Sequence, residues 1–352
     1  MTVKHILFPF DFSSQGTQAL PFVEALASRY GAKVTVLGVV PPVWDLARLK
    51  TSLRMTSDRA TDWVHELKAK LDQAFVHELN GVLAERIAIS GDPASHIVDV
   101  AHANDVDLIM MPTHGAGRFR TLLIGSVTAK VLHDATCAVW TATHAVEQCS
   151  RPKPRTVLCA LEGTPGDRTL VQHAAALCKQ LGASLKLLHV VGPISDWPSL
   201  GREHALQDEV RQRARVKLES MRSDVGIHAP LRVVLGEIVQ TVTDEARQED
   251  ADLIVMGRRT QSGALERFRT HMYGIIQQSP CPVLSLFAPM AAEGSPVAQG
   301  LRGESQPCAH AGCGCRVALG GPHWPYCSEH CMEAAALTEL RCDCQHAACR
   351  QI

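Results

Sequence analysis

The sequence predicts an α/β protein with two tandem, doubly wound domains, each built on a parallel sheet, and a small irregular metal-cluster domain. Short apolar segments alternate with amphipathic segments, as in parallel sheets that helices cover on both faces. The alternation is written twice, at an offset of about 145–150 residues, which is too long for a solenoid repeat. The third observation is a separate group of cysteines, because eight of the 13 lie in Cys308–Cys349.

The first repeat, residues 1–146, is predicted from apolar strands and helical periodicity. Trp63, Leu67, Leu71 and Phe75 recur at helical spacing. Asp92 before Pro93 is typical of an N-cap followed by a proline at the first helical position. The predicted elements, in chain order, are a strand over 3–10, a helix over Ser13–Tyr30, a strand over Val34–Val40, a helix over Met55–Asn80, a strand over Arg86–Ile89, a helix beginning at Gly91–Pro93, a strand over Asp107–Met111, a helix over Val127–Asp134 and a strand over Cys137–Thr141.

The second repeat, residues 152–288, follows a linker at Glu147–Pro154 and carries matching strands. Its apolar segments correspond in order to the first, second, fourth and fifth strands of the first repeat, and they are Thr156–Leu161, Leu181–Val190, Asp252–Met256 and Cys281–Ser285. The offset between matching strands stays nearly constant, so the sequence predicts a duplicated domain.

The stretch Met111–Val127 is the strongest candidate for a binding loop. An apolar strand leads into a basic, glycine-containing loop, and the chain becomes helical again at Gly125 and Ser126. A helix N-terminus has free N–H groups and the positive end of the helix dipole, and both favour an anion. We expect Ser126 to be the N-cap and Gly125 to let the backbone approach a ligand closely. An ordinary strand-to-helix connection has the same local pattern, and only its place at the end of a parallel strand favours binding.

Residues 1–288 resemble the universal stress protein family. Its nucleotide-binding members carry an Asp after strand one, a Val at the end of strand two, and a loop of the form G-x2-G-x9-G-[ST]. The matching residues here are Asp11 in LFPFDFSS, Val39 in TVLGVVPP, Gly115, Gly125 and Ser126. The resemblance implies an adenine nucleotide alpha hydrolase-like fold and an adenine nucleotide site, with ATP as a candidate ligand. Pro112 replaces the first motif glycine and removes one N–H donor.

The second repeat departs from this motif. Glu162 replaces the Asp, Thr260 replaces the second glycine, and Thr270-His271 replaces Gly-Ser, so its nucleotide site is expected to be degenerate. The resemblance also implies that the two domains pair through their last strands, Ala138–Thr141 and Val283–Leu286, within one chain. Such pairing would cover two exposed sheet edges, and it leaves further oligomerisation open.

The remaining chain is predicted to be a flexible linker, 289–307, and a cysteine-rich domain, 308–350. Fewer than fifty residues with few large apolar side chains cannot build a core that folds alone. In a reducing compartment such cysteine spacing indicates metal, and zinc or a related soft metal prefers these donors. The candidate ligands are Cys308, His310, Cys313, Cys315, Cys327, Cys331, Cys342, Cys344, His346 and Cys349.

These cysteines fall in three clusters, 308–315, 327–331 and 342–349. The order of the clusters and the segment YCSEHC resemble bacterial metallothionein. The resemblance implies that eight of the ten residues are metal donors, with His310 in place of a cysteine and Cys342 as an additional thiol. The chain departs from that family at two positions. Ala335 replaces the family's histidine after the second cluster, and Gln351 replaces its last cysteine. A structural zinc module with two isolated sites is the alternative, although it needs only eight donors.

Composition limits the functions that remain. The chain has 35 Lys+Arg and 36 Asp+Glu, so no basic field favours nucleic acid. With no signal-peptide pattern and no apolar run of about 18 residues, a cytoplasmic protein without a membrane span is expected. No recognisable nucleophile–base pair favours an enzyme. The sequence predicts a stress-response protein that binds metal and an adenine nucleotide. An interaction protein with a structural zinc tail, or a slow ATP hydrolase, are the alternatives.

Overall fold

The computed structural model describes residues 2–41, 60–113, 124–142, 152–192, 203–258, 266–287, 305–307 and 316–318. The chain divides into two compact units, Met1–Pro289 and Met290–Ile352. Among the described helices, none combines the length and the apolar character that crossing a membrane requires.

The first repeat alternates strands and helices in the expected order. Its described elements are β1 (His5–Pro9), α1 (Ser14–Tyr30), β2 (Lys33–Val40), α2 (Ala60–Gln73), β3 (Ala84–Ser90), α3 (Pro93–Ala103), β4 (Leu108–Pro112), α4 (Ser126–Asp134) and β5 (Ala138–Ala142). Ser13 caps α1 and Asp92 caps α3, with Pro93 in the first helical turn as the sequence predicts.

The second repeat has the same alternation. Its described elements are β6 (Thr156–Leu161), α5 (Asp167–Leu181), β7 (Ser184–Val191), α6 (Glu203–Val225), β8 (Leu231–Leu235), α7 (Ile238–Gln248), β9 (Leu253–Arg258), α8 (Glu266–Gln278) and β10 (Val283–Phe287).

In the described residues, ten strands form one sheet in the order β3-β2-β1-β4-β5-β10-β9-β6-β7-β8. The strands are parallel within each repeat, and β5 pairs antiparallel with β10, which confirms the predicted pairing of the last strands. Leu284 is opposite Trp140, and the Ser285 hydroxyl donates to the Val139 carbonyl at 3.1 Å. Two potential edge strands therefore protect one another in the middle of the sheet.

Helices cover both faces of the sheet, so successive strand residues enter two separate apolar cores. In β1, Ile6 and Phe8 pack on the face covered by α1, while Leu7 packs on the opposite face with Ile109. All four side chains are fully buried. This explains why the strands read as continuous apolar runs rather than as an alternation of polar and apolar residues.

A matching carboxylate contact marks the duplication. The Oδ2 atom of Asp107 accepts from the backbone N–H groups of Lys4 and His5, at 2.6 and 3.0 Å. In the second repeat Oδ2 of Asp252 accepts from the N–H groups of Arg155 and Thr156, at 2.7 and 3.0 Å. In each repeat this carboxylate fixes the start of the first strand against the start of the fourth.

The second helix differs from its prediction at the C-terminal end. The helix expected over Met55–Asn80 is described only from Ala60 and already ends at Gln73. Phe75 then takes a positive φ of 58°, and its ring packs edge-on against Phe10 with centroids 4.6 Å apart. The left-handed conformation ends the helix while the ring completes the core, so helical spacing at Phe75 was misleading.

The second unit contains a small antiparallel ladder between β11 (Ser305–Pro307) and β12 (Arg316–Ala318). The last three residues of the predicted linker 289–307 are thus in a strand. Backbone pairing of three residues leaves no apolar periodicity in the sequence, so the pattern could not indicate it. The ten predicted metal ligands all lie outside the described residues.

Candidate functional site

The candidate site lies where the direction of strand order reverses in the first repeat. The strands β1 and β4 are parallel neighbours, with Ile6 opposite Leu108. From β1 the chain continues outward to β2, whereas from β4 it continues to β5 on the other side. In open α/β sheets the helices diverge at such a reversal and leave a crevice beyond the carboxyl ends of the strands. The predicted Asp11 and Gly125 follow these two strands.

Asp11 is exposed in a tight turn between β1 and α1. Its Oδ1 atom accepts from the Ser13 N–H at 3.0 Å, and the Ser13 hydroxyl accepts from the Gly16 N–H at 3.1 Å. Phe12 between them has a φ of 60°, a conformation that costs a non-glycine residue on the order of 1 kcal/mol. Its ring packs against Phe10 with centroids 4.7 Å apart. The aromatic contact offsets that strain and helps hold the turn that presents Asp11.

Gly125, and not Ser126, is the N-cap of α4, which corrects the predicted cap by one residue. Gly125 has φ −60° and ψ 144°, and its carbonyl accepts the N–H of Ala129 at 2.9 Å. Ser126 is therefore the first helical residue and is exposed. The cap residue, a glycine, has no side chain to accept a hydrogen bond from the first turn. Gly125 therefore does not give α4 the acceptor that the Ser13 hydroxyl gives α1.

The two ends of the candidate loop are joined by hydrogen bonds. The Gly125 N–H donates to the Thr113 carbonyl at 2.9 Å, and the Thr113 N–H donates to the Ala142 carbonyl at 2.9 Å. The hydroxyl of Thr128 donates to the Pro112 carbonyl at 3.1 Å. These bonds fix the start of α4 to the end of β4. Residues 114–123, with the predicted Gly115, lie outside the described residues.

Val39 lies at the same edge of the sheet, near the end of β2. Pro9 of β1 is opposite Leu37 of β2, and the Phe10 N–H donates to the Leu37 carbonyl at 2.9 Å. Val39 is half-buried and pairs with Ile89 of β3. The structure thus places Asp11, Val39, Gly125 and Ser126 beyond, or close to, the carboxyl ends of neighbouring strands.

An additional polar contact near the site had no signal in the sequence. Lys130 of α4 donates to Asp92 Oδ2 at 3.0 Å and to the Ser95 hydroxyl at 2.8 Å. Hydrogen bonds from Ser95, and then from Lys130, lower the pKa of Asp92 to about 2. This cluster joins the first turn of α3 to α4, so the helix at the candidate site is braced on its outer side.

The second repeat is built differently at the matching turn. Glu162 corresponds to Asp11, and the buried Asp167 corresponds to Gly16. The Asp167 carboxylate accepts from three successive N–H groups, those of Glu162 (3.2 Å), Gly163 (2.7 Å) and Thr164 (2.9 Å). Burial raises its pKa, against the effect of these three donors. The turn is thus closed internally by the protein's own carboxylate.

The second repeat also has no helix start at the matching position. Gly125 and Ser126 correspond to Thr270 and His271, but α8 already begins at Glu266. Thr270 and His271 therefore lie within a helix, where the backbone N–H groups bond to preceding carbonyls. Thr260 lies outside the described residues.

Cys137 and Cys281 precede the last strand of each repeat, and their thiols have a packing role. Cys281 is 2% exposed, next to the Ser279 hydroxyl, and Cys137 is half-buried. Burial raises the pKa of the Cys137 thiol to about 11, despite the opposing effect of nearby Arg258. At neutral pH this sulfur is protonated, which does not favour a nucleophilic role.

Comparison with known proteins gives a consistent result for both repeats. A model of the universal stress protein family matches residues 2–142 and 153–286. A universal stress protein of Mycolicibacterium smegmatis is 23% identical over 265 residues, which cover 73% of this chain and 88% of the relative. One from Thermus aquaticus is 31% identical over 140 residues, which cover 39% of this chain and 96% of the relative.

Solved structures show the same fold. A universal stress protein from Archaeoglobus fulgidus has a TM-score of 0.57 at 21% identity, covering 81% of this chain and 96% of that one. A Pseudomonas aeruginosa protein of unknown function has a TM-score of 0.56 at 14% identity, covering 81% and 93%.

Proposed function

The chain belongs to the universal stress protein family, and from that premise we propose that it is a stress-response protein with two binding functions. It binds one adenine nucleotide, such as ATP, in its first repeat. It also binds zinc or a related soft metal through its cysteine-rich tail. Binding rather than turnover is the function proposed for both parts.

One observation carries the nucleotide proposal. At the reversal of strand order in the first repeat, an exposed carboxylate on Asp11 and a helix start at Gly125 without a side-chain cap share one sheet edge. The helix start suits a phosphate group, because its N–H groups and dipole favour an anion. The Asp11 carboxylate suits the hydroxyl or amino groups of a nucleoside, and Val39 offers an apolar contact to the base.

The second repeat supports a single site per chain. A ligand phosphate there would meet no helix start at the matching position, since α8 begins four residues earlier. The N–H groups of the turn that matches the Asp11 turn already bond the Asp167 carboxylate. The proposed role of this repeat is therefore structural.

The metal proposal rests on the chemistry of the donor set in the sequence. Eight thiols and two imidazoles within Cys308–Cys349 are more than two separate tetrahedral sites need. Thiolate and imidazole ligands suit zinc and softer ions. The alternative is a structural zinc module that docks a partner protein. A metal-binding tail would exchange its metal with a chelator while the rest of the chain stays folded, whereas a docking module would lose its partner when the metal is removed.

The nucleotide site is tested by a matched pair of glycine substitutions. Gly125→Val puts a side chain where phosphate would approach, at a φ of −60° that any residue adopts, so we expect ATP binding to be lost. Gly257→Val is the control in the second repeat, where an added Cβ makes only an ordinary contact of 3.7 Å with Leu170. Isothermal titration with ATP measures both. Equal losses in the two variants, or an unchanged affinity in Gly125→Val, would contradict the proposed site.

A further inference from the structure

A buried arginine of the second repeat contacts the first repeat. Arg258 is the last residue of β9 and is only 3% exposed. Its Nη1 donates to the carbonyls of Leu132 (2.9 Å) and Ala135 (2.5 Å), and its Nη2 donates to the carbonyl of Cys137 (2.6 Å). All three acceptors lie at or just after the C-terminal end of α4 in the first repeat.

This position suits a guanidinium group. The last carbonyls of a helix have no partner within the helix and carry its negative dipole end. The planar fork of Arg258 bonds two such oxygens, those of Leu132 and Ala135, and a third on Cys137 beyond the helix end. Its Cζ lies 5.6 Å from the centre of the Phe287 ring. Burial lowers the pKa of Arg258 to about 10, which still leaves it protonated at neutral pH.

The helix that Arg258 contacts is the one that begins at the candidate phosphate site. Nine residues, Ser126–Asp134, separate the two ends. Near its start α4 is bonded to β4 of its own repeat, through Thr128 and the Pro112 carbonyl. In its middle the carbonyl of Ala129 accepts from the Tyr273 hydroxyl of the second repeat at 3.2 Å. Lys130 also bonds Asp92 and Ser95 of the first repeat, so both repeats hold α4, and the second does so through Arg258 and Tyr273.

We propose that Arg258 is a positioning residue that allows the second repeat to set the phosphate affinity of the first. It holds the far end of α4, and so keeps the first helical turn, which begins at Ser126, in place at the proposed phosphate site. This inference rests on the proposed nucleotide function and adds a role for the repeat whose own site is closed. Coupling of this kind is reciprocal, so a nucleotide bound to the first repeat also stabilises the contact between the repeats.

A second guanidinium contact between the repeats supplies a matched control. Arg29, in the last turn of α1, donates through Nε to the Gln180 carbonyl at 2.8 Å. This carbonyl belongs to the last turn of α5, a second-repeat helix that does not begin at the proposed site. Both arginines thus bond helix-end carbonyls across the repeats, but only Arg258 contacts α4.

The test compares Arg258→Gln and Arg29→Gln in the full-length chain, with ATP and adenosine as probes. Adenosine has no phosphate, so it does not use the start of α4. For Arg258→Gln we expect ATP affinity to fall about tenfold while adenosine affinity stays unchanged, and we expect faster amide hydrogen exchange in the last turn of α4. Arg29→Gln should leave the ratio of the two affinities at the wild-type value.

The Arg258→Lys variant keeps the positive charge, so it remains informative if Arg258→Gln does not fold. One ammonium group cannot bond three carbonyls in the geometry of the fork, so a smaller, about threefold, selective loss of ATP affinity is expected. An unchanged ATP-to-adenosine ratio in the arginine variants that fold, an equal loss of both ligands, or the same selective loss in Arg29→Gln overturns the inference. A wild-type chain that binds no ATP overturns the proposed nucleotide function as well.

Discussion

At the scale of single residues, Asp92 combines a helix cap with an ion pair to Lys130. Its carboxylate accepts from the N–H and the hydroxyl of Ser95, at 2.9 and 2.7 Å, and from Lys130. These bonds hold its pKa at about 2, below the value of about 3.9 expected in the unfolded chain. A carboxyl group whose pKa is depressed by folding contributes stability above its unfolded pKa and loses it as the pH falls through its folded pKa.

We therefore expect Asp92→Ala to lower the free energy of unfolding by about 1 kcal/mol at pH 7, as for other lost N-caps. The difference in the free energy of unfolding between this variant and wild type should become smaller as the pH falls from about 4 to about 2. Urea denaturation at a series of pH values measures it. Asp92→Asn is the matched control, since asparagine also caps helices but does not titrate in this range. A difference that stays constant down to pH 2 would show that the cap does not depend on the charge.

The residues that the sequence did and did not predict differ in the range of their contacts. The pattern of strand, loop and helix indicated Gly125, and the resemblance to the universal stress protein family indicated Asp11. Both residues follow neighbouring parallel strands and therefore lie at one edge of the sheet. Arg258 follows an apolar strand with no local pattern that predicts a partner. Its three acceptors are more than 120 residues away in the chain. Only the pairing of the two repeats brings them together, and no local pattern could have identified them.

At the scale of elements, the boundaries differ where tertiary contacts override local preference. The α2 helix ends two residues before Phe75, because the Phe75 ring packs against the rings of Phe8 and Phe10. The helix α8 begins at Glu266, four residues before Thr270, the residue that matches Gly125 of the first repeat. In the strands, where burial on both faces dictates a continuous apolar run, β6 agrees with its predicted bounds, Thr156–Leu161.

We expect the zinc content of the cysteine-rich tail to depend strongly on pH. Ten candidate donors, at four positions per zinc ion, correspond to about three ions if some thiolates bridge. Zinc binding displaces protons from the thiols, so acid should release the metal. We expect a zinc-loaded chain to lose its ions to a chromophoric chelator as the pH is lowered from 7 to about 4.

A chain that ends at Pro289 is the control for this measurement. It retains the first compact unit and lacks all ten candidate donors. Equal zinc content in the shortened and full-length chains would contradict the proposed metal tail. Full-length chain that holds exactly two ions without bridging thiolates would instead favour the structural zinc module.

At the scale of the whole molecule, one sheet joins two repeats that have diverged at their binding edges. The antiparallel contact of β5 with β10 makes the two halves continuous, and Arg258 and Tyr273 tie the second half to α4 of the first. The duplication is evident from the sequence, whereas the asymmetry in function depends on where helices begin and which carboxylates are buried. In the proposed account the first repeat binds the nucleotide and the second repeat supports that site.

Native mass spectrometry of the full-length chain with ATP tests this account most directly, because it counts ligands on each molecule. Among the described residues, the second repeat has no counterpart to the exposed Asp11 carboxylate combined with a helix start at Gly125, so we expect one nucleotide per chain at saturating ATP. The bound form should disappear in Gly125→Val and persist in Gly257→Val. Two nucleotides per wild-type chain would show that the second repeat also binds, and none would show that the first repeat does not.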